Sequence, residues 1–499
     1  MRMRRILLAH EGLTALVVGV LVAVVGLLRI PRADLGVVWA EDGAVFLTQR
    51  LADGPFATWF APYDGYLHVL PRVLADLVVS VLPLPWAGVG ISVGTCLVAG
   101  LVGGAVYVCS RDVVPALPAR FALAGIVVLV PTASFEVLGN LANLHWLLLW
   151  LTPWLLLARP RTRTGGVLLG VLALVVGLSD IQAAVVLPFV LLPLLSAAGW
   201  RGRAGSRGRA GWRGWAGQRG WAGWAVPAAL LLAAAVQVVA ALTSDRAPRP
   251  AVLPDAWSTV LGFAVNSVMM PFLGQFHTAR LVLLTGGLLV LPVLLAALAA
   301  LAVVLWRGGR ARALAAQLLS WCAVVLWTAG YVVNPNPSFF YAGFGQEQWE
   351  GLGPLRYGVV PGMCVLALVI LALTTLVHPA RSVLGRAALG RAALGRPALD
   401  HPALAGVLES AVSPSRGSAG GRAFRWAGLG MAVVVAGLIA WQVAGTAGSS
   451  LRTSGPDWAS TVETGEQQCA ALDAGTEVTL PVHPLGWTAV IPCDTLTGD

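Results

Sequence analysis

Long apolar runs dominate this sequence and restrict what the chain can fold into. There are about eleven runs of roughly fifteen or more mostly apolar residues, and each is about long enough to cross a hydrocarbon core as a helix. With 57% hydrophobic and only 11% charged residues, the composition also excludes a soluble enzyme. We therefore expect an all-α polytopic membrane protein of about 11 transmembrane helices with outer-face juxtamembrane helices. The predicted spans are 13–30, 86–109, 121–138, 144–158, 165–179, 181–198, 225–243, 280–305, 313–332, 357–377 and 426–446.

The distribution of arginine predicts the topology. All 33 basic residues are Arg, and a cytoplasmic N-terminus with a non-spanning segment 66–84 places 24 of them inside and 9 outside. If segment 66–84 crosses, the later loops change sides and most Arg residues lie outside, against the positive-inside rule. We therefore expect this segment, with His68, Arg72 and Asp76 on one helical stripe, to lie in the outer interface. Segment 255–276 is predicted to be a second outer interfacial helix. The protein is expected in the plasma membrane, with its N-terminus cytoplasmic and its C-terminus external.

Two arginine-rich loops have little predicted chemistry. The stretch 201–224 interleaves Arg with Trp, which is compatible with a nucleic-acid patch. Arg and Trp are also the usual anchors of a cytoplasmic loop at lipid headgroups, and we favour that interpretation, with no nucleic-acid partner. The pentad LGRAA recurs between residues 384 and 399, and its low complexity is typical of a linker.

The last residues of the chain differ from the rest. We divide the chain into a transmembrane domain, 1–446, and an external tail, 447–499. Cys469 and Cys493 lie in this tail, where an oxidising compartment favours a disulfide. Between them, TEVTLPV and WTAVIP are typical of two short strands around the turn HPLG. The tail is therefore predicted to be a small disulfide-closed β unit, with His483 as a turn residue.

Polar side chains concentrate on the predicted outer face. No charged residue lies in the middle of a predicted span, which disfavours an ion-coupled transporter. The first outer loop contains WAEDG, with the adjacent carboxylates Glu41 and Asp42 shortly after Trp39, ahead of a short helix predicted over 44–51. The second outer loop, PTASFEVLGNLANLHW, contributes four further polar side chains, Glu136, Asn140, Asn143 and His145.

On these residues the sequence resembles the GT-C superfamily of integral membrane glycosyltransferases. The match rests on WAEDG after the first span, the juxtamembrane helices that follow it and the polar second loop, and it covers about the first 180 residues. The resemblance implies a lipid-linked sugar donor, a polyprenyl phosphate sugar, and a glycan or lipid acceptor of the cell envelope. The second loop departs from the better-known pattern because it has no paired aspartates. A divalent cation as cofactor is therefore left open.

The chemistry of such a transfer assigns further roles. A carboxylate must take the proton from the acceptor hydroxyl, and Glu41 or Asp42 is the candidate base. A planar guanidinium can hold the leaving phosphate, which favours Arg356, with Arg72 and Arg280 as further candidates. For the acidic pair the alternative is a solvated loop or a cap on the helix that begins near Ala44. For each Arg the alternative is an interfacial anchor or a salt bridge, such as Arg72 with Asp76.

Other residues are expected to line the substrate cavity. They are Glu136, Asn143, His145, Asp180 and Trp349. Trp349 belongs to the aromatic outer loop 334–357, which is a candidate lid over the acceptor, although aromatic residues are enriched at any membrane interface.

Two other functions remain open. A lipid or polysaccharide transporter or flippase predicts an internal repeat and broken helices, and a non-catalytic membrane scaffold predicts that the tail matters and the acidic pair does not.

Overall fold

The computed structural model describes residues 10–191, 221–244, 255–333, 337–378, 419–446, 450–473 and 475–497. Within these residues, eight helices are long and apolar enough to cross a membrane, as expected of an integral membrane protein. They are Glu11–Leu28, Leu84–Asp112, Ala222–Thr243, Ala256–Thr285, Val290–Arg307, Gly309–Val333, Arg356–Val377 and Gly428–Gly445. Four shorter apolar helices are Leu117–Leu129, Leu144–Leu157, Arg163–Ser179 and Ile181–Leu191. The helical membrane fold is confirmed, whereas the predicted number of eleven spans is not.

The remaining elements are short. The helices among them are Thr48–Asp53, Val69–Val81, Ala133–Glu136, Gln346–Glu350, Trp458–Cys469 and Cys493–Thr497. The strands form two antiparallel pairs, β1 (Pro62–Tyr63) with β2 (Tyr66–Leu67) and β3 (Glu477–Val482) with β4 (Trp487–Pro492). The Arg/Trp stretch 201–220 and the repeats at 384–399 lie outside the described residues.

Local backbone chemistry explains where the helices depart from the predicted spans. Helix Leu117–Leu129 ends early because Val130 precedes a proline and is extended, with φ −60° and ψ 122°. The predicted span 280–305 is split, since Gly286 and Gly287 have positive φ angles of 56° and 82° and end the helix after Thr285. The predicted interfacial helix 255–276 is instead part of Ala256–Thr285, which has 30 residues and is interrupted at Gly274.

The segment 66–84 forms a strand and a short helix. Helix Val69–Val81 has 13 residues, which corresponds to a length of about 20 Å. A hydrocarbon core is about 30 Å thick, so this helix is too short to cross by itself. Its buried face includes Arg72 and Asp76, two residues of the predicted polar stripe.

The two ends of the helical bundle differ in their ionic contacts. At one end Glu11 pairs with Arg111 at 2.8 Å and with Arg120 at 2.7 Å. At the other end the Arg29 guanidinium donates hydrogen bonds to the carbonyl oxygens of Val130, at 3.0 Å, and Pro131, at 3.1 Å. Arg29 thereby satisfies carbonyls that follow helix Leu117–Leu129, as a C-terminal cap does. The bundle thus separates the predicted cytoplasmic end from the end that holds the acidic loops, and which end faces the cytoplasm stays a prediction.

The centre of the bundle is helix Leu144–Leu157, every residue of which is buried. It packs between Ala87–Cys109 and Val359–Val377, and apart from His145 and Thr152 its side chains are apolar on every face. Ala87–Cys109 also packs closely against Glu11–Leu28. Gly19 and Gly100 meet at this contact, where a Cβ atom on Gly19 would lie 2.9 Å from the Gly100 carbonyl oxygen. Small residues are therefore required at this crossing.

The C-terminal tail, residues 450–473 and 475–497, contains the two predicted strands and the predicted disulfide, and it also contains a helix that is not predicted, Trp458–Cys469. β3 and β4 pair around residues 483–486, and Val478, Leu480 and Val482 are buried in alternation along β3. The predicted disulfide between Cys469 and Cys493 is confirmed, and it joins helix Trp458–Cys469 to the residue after β4. The buried side chains of the tail belong to the same apolar cluster as those of the bundle, so the tail packs directly on the helical part of the chain.

Candidate functional site

Asp42 joins the first loop (residues 31–83) to the second loop (residues 130–143). It begins a π-helical turn, Asp42–Leu47, where part of a short helix was predicted. The carboxylate is fully buried, and its two oxygens accept hydrogen bonds from the backbone N–H groups of Leu141 and Ala142, both at 2.8 Å. Burial raises the pKa of Asp42 to about 7, although the two backbone hydrogen bonds act in the opposite direction. Both oxygens of Asp42 are therefore already used in holding the second loop.

Glu41 has a different environment from its neighbour. Its side chain is partly exposed, and one of its carboxylate oxygens is buried without a hydrogen-bond partner among the described residues. A carboxylate oxygen that lacks a protein partner can accept a proton or a hydrogen bond from a ligand. Of the two predicted base candidates, only Glu41 has such an oxygen.

Glu136 and Arg356 form the second polar contact of the site. The Arg356 Nη1 donates to Glu136 Oε1 at 2.8 Å, which connects the second loop to the start of helix Val359–Val377. Burial raises the pKa of Glu136, the Arg356 charge opposes this shift, and the charge of Glu41 adds to it. Three segments that are distant in sequence therefore bring Glu41, Glu136 and Arg356 into one electrostatic cluster. The aromatic ring of Tyr357 lies beside it, 5.5 Å from the ring of Trp146.

A row of aromatic and imidazole rings extends the cluster into the first loop. The rings of His145 and His68 have centroids 6.2 Å apart, and the ring of Tyr66 lies 4.1 Å from that of His68. Burial raises the pKa of Tyr66, and the charge of Asp180 acts in the same direction. The predicted cavity residues His145 and Asp180 are therefore linked through His68 and Tyr66.

Asp180 is a second buried carboxylate. Its Oδ1 accepts a hydrogen bond from the Gln182 backbone N–H at 2.7 Å and caps the 3-10 helix Ile181–Val186. Its Oδ2 is buried and has no hydrogen-bond partner within the described chain. Burial raises the pKa of Asp180 to about 7. The unused oxygen faces the interior of the protein and not bulk water.

Asn140 and Asn143 shape the second loop. Asn143 Nδ2 donates to the Glu136 carbonyl oxygen at 3.2 Å, and Asn140 Nδ2 bonds the same oxygen at 2.5 Å. Asn143 Oδ1 accepts from Trp146 Nε1 at 3.0 Å. The polar groups of Asn143 are thus used in holding the loop that carries Glu136.

Arg72 is buried without a carboxylate partner. Its Nη1 donates to Gln49 Oε1 at 2.8 Å and its guanidinium lies over the Phe46 ring, while Nε and Nη2 have no partner in the described part of the chain. The predicted alternative, a salt bridge with Asp76, is wrong, because Asp76 pairs with Arg50.

Arg280 and Trp349 show no described contact with the cluster. Arg280 is exposed on helix Met270–Thr285. Trp349 is buried among other rings of its own loop, with its centroid 6.0 Å from that of Tyr341 and 5.3 Å from that of Phe344. These rings pack together as a small apolar core, which also contains Trp327.

Tyr66, His68 and Arg452 are not among the predicted site residues, although His68 is predicted to lie on the polar stripe of segment 66–84. Arg452, in the tail, is buried and lies in the electrostatic field of Asp42. One signal could have found it, since Arg452 is one of only nine arginines predicted on the outer side.

A divalent cation would need several oxygen, nitrogen or sulfur ligands gathered at one place. No group of three or more His, Cys, Asp or Glu side chains with metal-binding geometry occurs among the described residues. Of the acidic residues of the site, Glu136 is paired with Arg356 and Asp42 with backbone N–H groups, whereas Glu41 and Asp180 each have one oxygen without a partner in the described part of the chain. No protein-family model matches the chain, and no curated protein or solved structure is detectably similar to it.

Proposed function

We propose that the protein is a GT-C-type membrane glycosyltransferase, which transfers a sugar from a polyprenyl-phosphate donor to an envelope glycan or lipid acceptor at the outer face. The observation that supports this proposal is the ion pair of Glu136 and Arg356 at one end of the bundle, with the charge of Glu41 acting on Glu136. A base and a cation in one cluster are the two groups that displacement of a lipid phosphate requires.

In the proposed reaction Glu41 is the general base. It takes the proton from the acceptor hydroxyl, whose oxygen then forms a bond to the anomeric carbon of the donor sugar. The bond between that carbon and the phosphate oxygen breaks, and the polyprenyl phosphate leaves with the electron pair. Glu41 suits this role because one of its oxygens has no partner within the described residues. Asp42 is a positioning residue in this scheme, since both of its oxygens bind the second loop.

Arg356 is proposed to hold the leaving phosphate. A guanidinium has five N–H donors in a planar fork, and Glu136 receives a hydrogen bond from Nη1. Glu136 therefore fixes the orientation of the Arg356 side chain and leaves other N–H groups to meet an anion. Asp180 and Tyr66, which border the cluster, are candidates to bind hydroxyl groups of the sugar.

The test is sugar transfer by the purified full-length protein in proteoliposomes, with a panel of polyprenyl-phosphate sugars as donors. Glu41→Gln keeps the size of the side chain and removes the base, and we expect its rate to fall by roughly a hundredfold to ten-thousandfold. Glu466→Gln is the matched control, because Glu466 is exposed on helix Trp458–Cys469 and shows no contact with the cluster in the described structure. We expect Arg356→Lys to weaken donor use, since a Lys cannot reproduce the planar fork.

The outcomes separate the assignments. If Glu41→Gln transfers sugar at the parental rate, Glu41 is not the base. If the parent protein transfers no sugar from any donor but moves a lipid-linked sugar across the bilayer, the flippase alternative replaces the glycosyltransferase.

A further inference from the structure

The C-terminal tail binds the backbone immediately before the acidic pair. The His483 N–H donates to the Val38 carbonyl oxygen at 3.1 Å, and the Ala40 N–H donates to the His483 carbonyl oxygen at 2.5 Å. The Trp458 N–H donates to the Gly36 carbonyl oxygen at 3.0 Å. Residues 36–40 therefore find backbone hydrogen-bond partners in the tail, and the position of Glu41 follows from the position of the tail.

The same tail binds the second loop around Glu136. The Leu451 N–H donates to the Phe135 carbonyl oxygen at 2.8 Å. The Arg452 Nη1 donates to the Gly139 carbonyl oxygen at 2.6 Å and its Nη2 donates to the Leu138 carbonyl oxygen at 3.2 Å. Carbonyls on both sides of Glu136 are thus hydrogen-bonded to the tail.

Arg452 and Asp42 hold the second loop together from two directions. Arg452 binds the carbonyl oxygens of residues 138 and 139, and Asp42 binds the N–H groups of residues 141 and 142. Both side chains are buried, Arg452 at 3% exposure and Asp42 at 0%. The charged groups that face Asp42 are Glu41 and Arg452, and those that face Arg452 are Asp42 and Asp34. Arg452 is therefore the described cation that faces this buried carboxylate.

We infer that the tail is a positioning clamp, which fixes the Glu41 segment against the Glu136 segment, and that Arg452 is the positioning residue that joins them. Two parts of the tail bind residues 36–40, helix Trp458–Cys469 through Trp458 and the β3–β4 hairpin through His483. The disulfide between Cys469 and Cys493 connects these two parts. The consequence for catalysis rests on the proposed function, whereas the clamp itself rests on the contacts alone.

The first experiment is native-state hydrogen exchange on the full-length parent protein in nanodiscs, with increasing denaturant. The clamp predicts that segments 36–42, 135–142 and 450–458 lose protection together, as one cooperative unit. Loss of protection in the tail while 135–142 stays protected would overturn the inference. This measurement needs neither a substrate nor a variant that folds.

The second experiment compares Arg452→Gln with Glu466→Gln, an exposed tail residue that contacts neither loop in the described structure. Arg452→Gln loses the charged hydrogen bonds to the carbonyl oxygens of Leu138 and Gly139, which hold the same loop as Leu141 and Ala142. We expect hydrogen exchange at Leu141 and Ala142 to rise at least about tenfold, because a buried hydrogen bond to a charged group typically contributes about that factor or more. Arg452→Lys retains the charge and should restore part of the protection. Equal protection in all three variants would overturn the role of Arg452.

A pH profile of sugar transfer connects the clamp to catalysis. Removing the Arg452 charge raises the pKa of Asp42, so the acidic limb of the profile should move to higher pH in Arg452→Gln and return towards the parent in Arg452→Lys. A variant that is only less well folded would lower the rate at every pH. An unchanged profile and rate in Arg452→Gln would overturn the positioning role. If exchange responds as expected and the parent transfers no sugar, the clamp is supported and the proposed function fails.

Discussion

Arg50 and Asp76 form a buried ion pair, which joins helix Thr48–Asp53 to helix Val69–Val81 within the first loop. The two side chains are only 9% and 4% exposed, and Asp76 also accepts a hydrogen bond from Trp59 Nε1 at 2.9 Å. Asp76 lies one helical turn from Arg72, but its carboxylate binds Arg50 instead. Arg72 consequently remains a buried cation without a carboxylate partner among the described residues.

Removal of Asp76 should destabilise the first loop. Asp76→Ala leaves the buried Arg50 guanidinium uncompensated, and breaking a buried pair in this way typically costs about 3–5 kcal/mol. Asp53→Asn is the control, because Asp53 is an exposed acid of the same loop and its change is expected to stay within about 0.5 kcal/mol. Thermal unfolding in detergent measures both variants. Equal shifts would show that the Arg50 pair contributes little.

Asp42 and Glu41 should respond differently to amide substitution. In the parent protein the Asp42 carboxylate accepts hydrogen bonds from two backbone N–H groups. In Asp42→Asn an NH2 group faces one of these donors, so we expect the free energy of unfolding to fall by about 1–3 kcal/mol. Glu41→Gln should retain the parental stability, since Glu41 is partly exposed and makes no such contact in the described structure. Urea or thermal unfolding of the two variants tests this difference. The reverse order would mean that Glu41 is the structural acid.

The buried carboxyl of Asp180 should make stability depend on pH. Its pKa is raised by burial to about 7 in the folded protein, against an ordinary value near 3.8. The folded state thus prefers the protonated form, whose stabilising contribution is present below pH 4 and is lost as pH rises through 7. Asp180→Asn cannot ionise and retains an oxygen for the Gln182 N–H. Its stability relative to the parent should therefore increase between pH 5 and pH 8 in thermal unfolding, and a decrease over this range would contradict the buried assignment.

The disulfide should contribute measurably to the tail. Cys469 and Cys493 are separated by 24 residues, and closing a loop of this length is expected to stabilise the folded tail by about 3 kcal/mol in the chain-entropy model. Replacing both residues by Ala should speed hydrogen exchange in β3 and β4 and leave helix Leu144–Leu157 protected. Mass mapping without reductant checks the bond itself. Two free thiols in protein from its native membrane would refute the pairing.

The arginine distribution predicts that loop 201–224 is cytoplasmic. A cysteine introduced as Ser206→Cys should react with a membrane-impermeant reagent only after permeabilisation, while Glu347→Cys, on the predicted outer side, should react in intact cells. The described unpaired cysteines are buried, which keeps their background labelling low. Labelling of Ser206→Cys from outside would show that the topology is the opposite of the predicted one and that the site faces the cytoplasm.

The membrane helices, strand β3 and the disulfide could be predicted from the sequence, because each depends on the composition or the pattern of a single segment. Long apolar runs identify membrane helices whatever surrounds them, since an unpaired backbone is costly in lipid. The alternation in TEVTLPV predicts β3 and places Val478, Leu480 and Val482 on one face. The Cys469–Cys493 disulfide follows from the presence of two nearby cysteines in one predicted external segment.

Tertiary structure decided which polar groups meet. The contact between Glu136 and Arg356 joins positions 220 residues apart, and no local pattern specifies such a pair. The same holds for Asp42, whose partners lie about a hundred residues away, and for Arg50, which binds the carboxylate that sequence spacing had assigned to Arg72. The physical reason is that hydropathy and periodicity indicate which side chains of one segment face lipid, water or the protein core. Ion pairs and free carboxylate oxygens depend instead on distances between segments, which packing of the whole bundle sets.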